Sequence, residues 1–142
     1  MGDRSPDMPY RQVKPARSAP TNGKPRGGTA LVTRGRDPRH FAALDLGTNN
    51  CRLLIARPQG DGFAVIDAFS RIVRLGEGLA SSGRLSDAAI ERTIAALKIC
   101  ADKLKRRNVT LSRAVATEAC RRASNGAEFI ARAYAETGIL LD

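Results

Sequence analysis

The pattern of apolar and polar residues begins with two short apolar runs on either side of a polar turn. The runs Phe41 to Leu46 and Cys51 to Ala56 flank Gly47-Thr48-Asn49-Asn50, an arrangement typical of a β-hairpin. After a turn predicted at Pro58 to Gly62, the stretch Phe63 to Val73 alternates as a third strand does. On one face of this strand we expect Phe63, Val65, Asp67 and Phe69. The three strands predict an antiparallel meander.

Helical spacing replaces strand alternation in the second half of the chain. Ser86 can cap a helix, and basic residues crowd its last turn before Asn108. The apolar stripe of this helix is Ile90, Ile94, Leu97, Ala101 and Leu104. The residues between it and the third strand, Gly76 to Gly83, are rich in glycine and serine and predict a loop.

The last thirty residues predict a buried strand, two helices and the start of another strand. Leu111 to Thr117 is a short strand that leads into a short helix, Glu118 to Ala123. A longer amphipathic helix, Ala127 to Thr137, should end at Gly138, and Ile139 to Asp142 begins a further strand. Inward on the longer helix we expect Phe129, Ile130, Ala133 and Tyr134.

Composition separates the first 39 residues from the rest of the 142. They contain six of the seven prolines, nine of the 24 Lys and Arg residues and only three acids. Their longest apolar run, Ala30 to Val32, buries too little surface to offset chain entropy. We therefore predict a disordered basic tail at residues 1–39 and one folded domain at residues 40–142. The tail either makes nonspecific polyanion contacts by counterion release or is simply solvated.

Targeting and cysteine signals exclude several classes of protein. No apolar signal region follows the basic start and no stretch approaches the length of a membrane span, which favours a cytoplasmic protein with no membrane partner. The three cysteines are isolated and lack the spacing of a zinc site or a disulfide framework. Cys120 precedes Arg121 and Arg122 and is the one candidate for a lowered thiol pKa.

The turn after the first strand carries the candidate chemistry. Asp45 is the only acid in its apolar run, and a carboxylate at a strand end suits a metal ion or a metal-bound water. Gly47 allows a ligand to approach the backbone, and successive N–H groups of the turn can converge on an anion. Ordinary hairpin chemistry explains the same residues, so both interpretations stay open on these residues alone.

The segment Asp45-Leu46-Gly47-Thr48-Asn49-Asn50 resembles the first phosphate loop of the exopolyphosphatase and guanosine pentaphosphate phosphatase (Ppx/GppA) family. Three later stretches agree with the family in order and spacing: Val73 to Leu79, Gly83 to Ser86, and Ala114 to Asn125. The resemblance covers Phe41 to Asp142. It adds nothing about the basic tail.

This resemblance implies a fold and a set of site residues. The fold is α/β, an incomplete ribonuclease-H-like lobe of the actin type, in which a three-stranded antiparallel meander precedes alternating helices and parallel strands. Residues 40–142 would then be a truncated N-terminal lobe of a Ppx/GppA-type domain, within the superfamily that includes sugar kinases and chaperones. The implied phosphate-binding residues are Gly47, Thr48, Asn49 and Arg121, and Asp45 is the implied ligand of Mg²⁺.

The resemblance also implies an activity that this chain alone is expected to lack. Family members hydrolyse terminal phosphoanhydride bonds of inorganic polyphosphate or guanosine pentaphosphate, and full-length members are implied to form homodimers. The family's catalytic glutamate is expected just after Asp142 and a second phosphate loop later, so no catalytic residue is assigned here. The alternative is a noncatalytic module that binds polyphosphate or another polyanion.

Overall fold

The computed structural model describes residues 39–142, so the predicted basic tail, apart from Arg39, lies outside the described residues. Strands β1 (His40–Leu46), β2 (Asn50–Gln59) and β3 (Gly62–Ile72) form the predicted antiparallel meander, and β4 (Val109–Ala116) pairs with β1 in parallel. The sheet order is β3-β2-β1-β4. The predicted α/β class and order of elements are confirmed. The helices are α1 Leu79–Ser82, α2 Asp87–Arg106, α3 Glu118–Arg122 and α4 Gly126–Thr137.

Helix α2 covers one face of the sheet and supplies much of the core. The Ser86 side chain accepts a hydrogen bond from the Ala89 N–H at 3.2 Å, which confirms the predicted cap. The predicted stripe is also confirmed, because Ile90, Ile94 and Leu97 are buried while its other members pack partly against the core. On the sheet this face is formed chiefly by Leu44, Leu46, Cys51, Leu53 and Ile55.

A β-bulge changes the predicted faces of β3. The pairing passes from Ile55 opposite Asp67 to Ala56 opposite Val65, which leaves one extra residue in β3. The side chains therefore exchange faces across the bulge. Phe63 and Val65 are 69% and 50% exposed, whereas Asp67 is hydrogen-bonded to α2. The prediction that these three residues share a face was wrong, since nothing in the alternation marks an inserted residue.

The turn between β2 and β3 is shorter than predicted. Strand β2 continues to Gln59, so only Gly60 and Asp61 connect it to β3. Pro58 lies beyond the part of β2 that pairs with β1, where a missing N–H is tolerated. The predicted Gly76 to Gly83 loop also contains a helical turn, α1.

The opposite face of the sheet is open along β4. Ala114 and Ala116 face the core, but Leu111 is 64% and Val115 is 41% exposed. The prediction of a buried strand was therefore right for one face of β4 and wrong for the other. Tyr134 on α4 is 55% exposed, contrary to its predicted inward position, whereas Phe129 and Ala133 are buried as expected.

The last residues of the chain lie beside β4. The Asp142 N–H donates to the Ala114 carbonyl at 3.0 Å, and the Ala116 N–H donates to the Asp142 carbonyl at 2.9 Å. This is the hydrogen-bond pattern of a parallel pair, in line with the strand start predicted there. Within residues 39–142, no helix is long and apolar enough to cross a membrane.

Candidate functional site

The candidate site lies where the neighbouring parallel strands β1 and β4 end. Leu46 is the last residue of β1 and pairs with Ala116, the last residue of β4. The Thr117 N–H donates to the Leu46 carbonyl at 2.8 Å, and the Thr117 and Thr48 hydroxyls are 3.0 Å apart. The two stretches predicted to carry the chemistry are thus adjacent at the carboxyl edge of the sheet, where α/β proteins bind ligands.

A third stretch, Val73 to Gly76, holds the turn of Gly47, Thr48 and Asn49, which we call the phosphate turn. The N–H groups of Val73 and Arg74 both donate to the Asn49 carbonyl, at 2.8 and 3.0 Å. The Gly76 N–H donates to the Thr48 carbonyl at 3.0 Å. Gly76 has a steric reason to be glycine, because a Cβ there would overlap the Thr48 methyl group.

These contacts occupy the Thr48 and Asn49 carbonyls of the phosphate turn, and two of its N–H groups are available. The Gly47 N–H already donates to the Asn50 carbonyl at 2.8 Å. Among residues 39–142, the N–H groups of Thr48 and Asn49 have no hydrogen-bond acceptor. Two adjacent unpaired N–H groups beside a glycine are suited to binding an oxyanion. Gly47 therefore contributes backbone access at this turn, while its neighbours contribute the donors.

Asp45 lies next to the phosphate turn on the open face of the sheet. It is exposed, and its carboxylate forms no hydrogen bond or ion pair with any of residues 39–142, although Arg52 lies opposite it in β2. The described residues contain no cluster of three His, Cys, Asp or Glu side chains that could hold a metal. One free carboxylate nevertheless fits Mg²⁺, which usually keeps several waters and takes its remaining ligands from substrate phosphates.

The two arginines on α3 have different surroundings. Arg122 forms an ion pair with Glu118 at 3.4 Å along the same helix. Arg121 is exposed and has no ion-pair partner among the described residues, so its guanidinium is available to a ligand. Helix α3 starts at the Thr117 cap that contacts Thr48, which brings this helix to the phosphate turn. Of the two arginines, Arg121 is therefore the one without an ion-pair partner among the described residues, and it is also the one that the family resemblance implies.

The cysteines are structural. Cys120 is 2% exposed, and burial raises the pKa of its thiol to about 11 despite the opposing charge of Arg121. The suggestion of a lowered thiol pKa at Cys120 was therefore wrong. The Cys51 and Cys100 sulfurs are 4.0 Å apart in the core between β2 and α2. Hydrogen bonding with Cys51 and burial both raise the pKa of Cys100.

A further set of hydrogen bonds joins the Gly83 to Ser86 stretch to the end of the Ala114 to Asn125 stretch. The buried Asn125 side chain accepts a hydrogen bond from the Leu85 N–H and donates one to the Leu85 carbonyl, each at 2.9 Å. The Ser124 N–H donates to the Gly83 carbonyl at 2.9 Å. These bonds hold the Gly83 to Ser86 stretch against the segment that follows α3. This part of the sequence pattern therefore has a structural explanation.

Three residues important to the site were not among the predicted site residues. Thr117 bridges the two strand ends, Gly76 permits the close approach to Thr48, and Arg92 binds the segment that holds the turn. The signal for Thr117 in the sequence is its position directly after a strand of an α/β sheet, within the Ala116 to Arg122 junction where such sheets bind ligands. The contacts of Arg92 depend on how α2 packs and have no local signal in the sequence.

The sheet order, the parallel strand pair and the turn between β1 and β2 define an incomplete α/β lobe of the actin-like type. Residues 54–142 match the Ppx/GppA phosphatase family. The chain belongs to this family. This confirms the resemblance found in the four motif stretches.

Solved structures similar to this chain come from the same family. The Ppx/GppA phosphatase of Aquifex aeolicus is 36% identical over 72% of this chain, with a TM-score of 0.70. An exopolyphosphatase from Cytophaga hutchinsonii is 28% identical over 73% of this chain, with a TM-score of 0.69. An exopolyphosphatase-like protein is 32% identical over 73%, with a TM-score of 0.68. The matched part covers 34%, 33% and 32% of those chains, about a third of their length.

Proposed function

We propose that this chain forms the phosphate-binding part of a Ppx/GppA-type phosphohydrolase that acts on terminal phosphoanhydride bonds. The substrate would be inorganic polyphosphate or guanosine pentaphosphate. The observation that carries this proposal is the pair of unpaired N–H groups of Thr48 and Asn49 at the junction of β1 and β4. Family membership supports the reaction class, and the geometry supports the location of the anion.

Each residue of the proposed site has a defined task. The N–H groups of Thr48 and Asn49 would donate to phosphate oxygens, and Gly47 would leave room for them beside the backbone. Arg121 would bind two oxygens through its planar guanidinium. Asp45 would hold Mg²⁺, which neutralises charge on the phosphate chain when bound.

Hydrolysis also needs a group that positions the attacking water. The acids near the phosphate turn already have other partners or tasks: Glu77 pairs with Arg92, Glu118 with Arg122, and Asp45 is assigned to the metal. We therefore expect residues 39–142 to bind phosphate without turning it over. A glutamate from the rest of the family's domain would supply the missing function.

Matched substitutions on α3 test the proposed site. We expect Arg121→Gln to weaken binding of Mg²⁺-tripolyphosphate to the chain on the order of tenfold, because a charge-assisted pair is lost. Arg122→Gln removes the same charge from the same helix and should leave the affinity almost unchanged. Isothermal titration calorimetry measures both. Equal losses from both variants would mean that general charge, rather than this site, binds the anion.

The second candidate function is a noncatalytic polyanion-binding module, favoured by the +6 net charge that residues 1–39 contribute to the chain's +10. Deleting these residues separates the two candidates. Binding through the tail should be lost and should depend strongly on salt before deletion. Binding at the phosphate turn should persist in the shortened chain.

A further inference from the structure

The segment that holds the phosphate turn has a backbone conformation that is unfavourable on its own. Arg74 has a φ of 49°, in the left-handed region that residues other than glycine seldom adopt. Such a conformation persists only where surrounding contacts stabilise it. Its N–H is one of the donors to the Asn49 carbonyl, so the geometry of this segment reaches the turn directly.

Arg92 of α2 supplies three contacts to this segment. Its Nε donates to the Val73 carbonyl at 3.0 Å, and its Nη2 donates to the Arg74 carbonyl at 3.4 Å. The same Nη2 donates to Glu77 Oε2 at 2.6 Å in an ion pair. One planar guanidinium thus binds the carbonyl that precedes Arg74 and the carbonyl of Arg74 itself. Lysine could not reproduce this fork of donors.

Helix α2 is packed against the core and therefore holds the backbone of Arg92 in place. Two buried residues, Ile90 and Ile94, flank Arg92 along the helix, and the Ser86 cap lies at its first turn. A chain of contacts therefore runs from the core through Arg92 to Val73 and Arg74, and from these to the Asn49 carbonyl. The same segment carries the Gly76 N–H, which donates to the Thr48 carbonyl. That carbonyl and the Asn49 N–H lie in one peptide plane and point in opposite directions, so this contact fixes the direction of the Asn49 N–H.

We infer that Arg92 is a positioning residue, which holds the phosphate turn through residues 73–77 and so sets the direction of its Asn49 N–H. This inference rests on the proposed function for the identity of the ligand. Arg92 is not itself assigned to the phosphate chain, because its guanidinium is already bound to two carbonyls and to Glu77. Glu77 acts as the partner that holds Arg92 in place.

Arg132 provides a matched control for charge and for surface ion pairing. Its side chain is 39% exposed, against 40% for Arg92, and it binds Glu91 and Glu136 at 2.6 Å each. These contacts link α2 and α4 rather than the phosphate turn. Substituting either arginine with glutamine removes one positive charge and breaks a comparable network.

The experiment records amide spectra of the full chain, followed by titration with Mg²⁺-tripolyphosphate. We expect Arg92→Gln to shift the free-state amide signals of Thr48 and Asn49 and to weaken binding on the order of tenfold. Arg92→Lys keeps the charge and should restore part of the affinity. Arg132→Gln should lower the thermal midpoint yet leave the turn signals and the affinity unchanged.

Glu77→Gln distinguishes a positioning role of Arg92 from a general electrostatic effect. This substitution keeps the Arg92 guanidinium and its hydrogen bonds to the two backbone carbonyls. Removing this acid raises the net positive charge, so a purely electrostatic effect would strengthen anion binding. Positioning predicts weaker binding instead. Stronger binding, or free-state signals of Thr48 and Asn49 that do not move in Arg92→Gln, would overturn the inference. If the unmodified chain does not bind tripolyphosphate, the proposed function fails, while the free-state signals still decide the role of Arg92.

Discussion

Contacts made by single residues explain why short stretches that are far apart in the sequence lie side by side in the structure. Gly76 is required by its contact with Thr48, and Thr117 joins the ends of two strands. Asn125 satisfies both backbone groups of Leu85 from forty positions away. These contacts connect packing with function, because they bring the phosphate turn and its neighbouring segments close together.

Among single residues, we predict that Asn125→Ala strongly lowers the stability of the fold. The substitution leaves the buried N–H and carbonyl of Leu85 without partners and should lower the free energy of unfolding by about 2 to 4 kcal/mol. Urea denaturation followed by circular dichroism measures this. Asn49→Ala is the control, since that exposed amide has only a 3.5 Å contact with Asn50 and should change stability by less than about 0.5 kcal/mol. Equal stability of the two variants would contradict this assignment.

The sequence indicated the candidate residues and their tasks, but not which backbone groups of the turn are unpaired. Asp45, Gly47 and Arg121 stood out through residue type and motif, and the structure brings their segments to one edge of the sheet. The conformation of the turn depends on hydrogen bonds that its carbonyl groups accept from the N–H groups of Val73, Arg74 and Gly76. Those bonds join residues more than twenty positions apart, and local patterns carry no information about them.

Among the elements, α2 was predicted best because three independent signals agree. A capping serine, an apolar stripe and a basic last turn all specify the same helix. Strand β3 was predicted less well, since a bulge inside it reverses the side-chain alternation. Strand β4 was predicted as buried on both faces because its alanines fit such a strand, yet only one face is covered.

The contact between β3 and α2 predicts how the free energy of unfolding depends on pH. Burial of Asp67 opposes its ionisation, but hydrogen bonds from Lys103, Arg107 and the Ala68 N–H outweigh it and hold the pKa of this carboxyl below its ordinary value of 3.8. A depressed folded-state pKa stabilises the fold above the unfolded-state pKa. This contribution is lost as the pH falls through the folded-state pKa.

Asp67→Asn should therefore lower the free energy of unfolding at pH 7 by about 1 to 2 kcal/mol, allowing for partial exposure of the pair. The difference from the unmodified chain should shrink below about pH 4. Chemical denaturation across this pH range measures it. Asp61→Asn, in the exposed β2–β3 turn, is the control. A difference that stays constant with pH would show that packing, rather than charge, explains the loss.

At the scale of the whole molecule, the sheet has one covered and one open face. The open face exposes apolar side chains beside Asp45, and it ends at the edge that carries the phosphate turn. The matched part covers about a third of its solved relatives, at 34% of the Aquifex aeolicus chain. We propose that the backbone donors of the phosphate turn, the Asp45 carboxylate and the Arg121 guanidinium form part of a ligand cleft at this edge.

The central claim is that residues of the β1–β4 edge bind the phosphate chain. The most direct measurement is an amide chemical-shift titration of the full chain with Mg²⁺-tripolyphosphate. Our account predicts saturable shifts centred on Thr48, Asn49 and Arg121, which persist after residues 1–39 are deleted. Shifts confined to residues 1–39, or no saturable shifts at the turn, would contradict it.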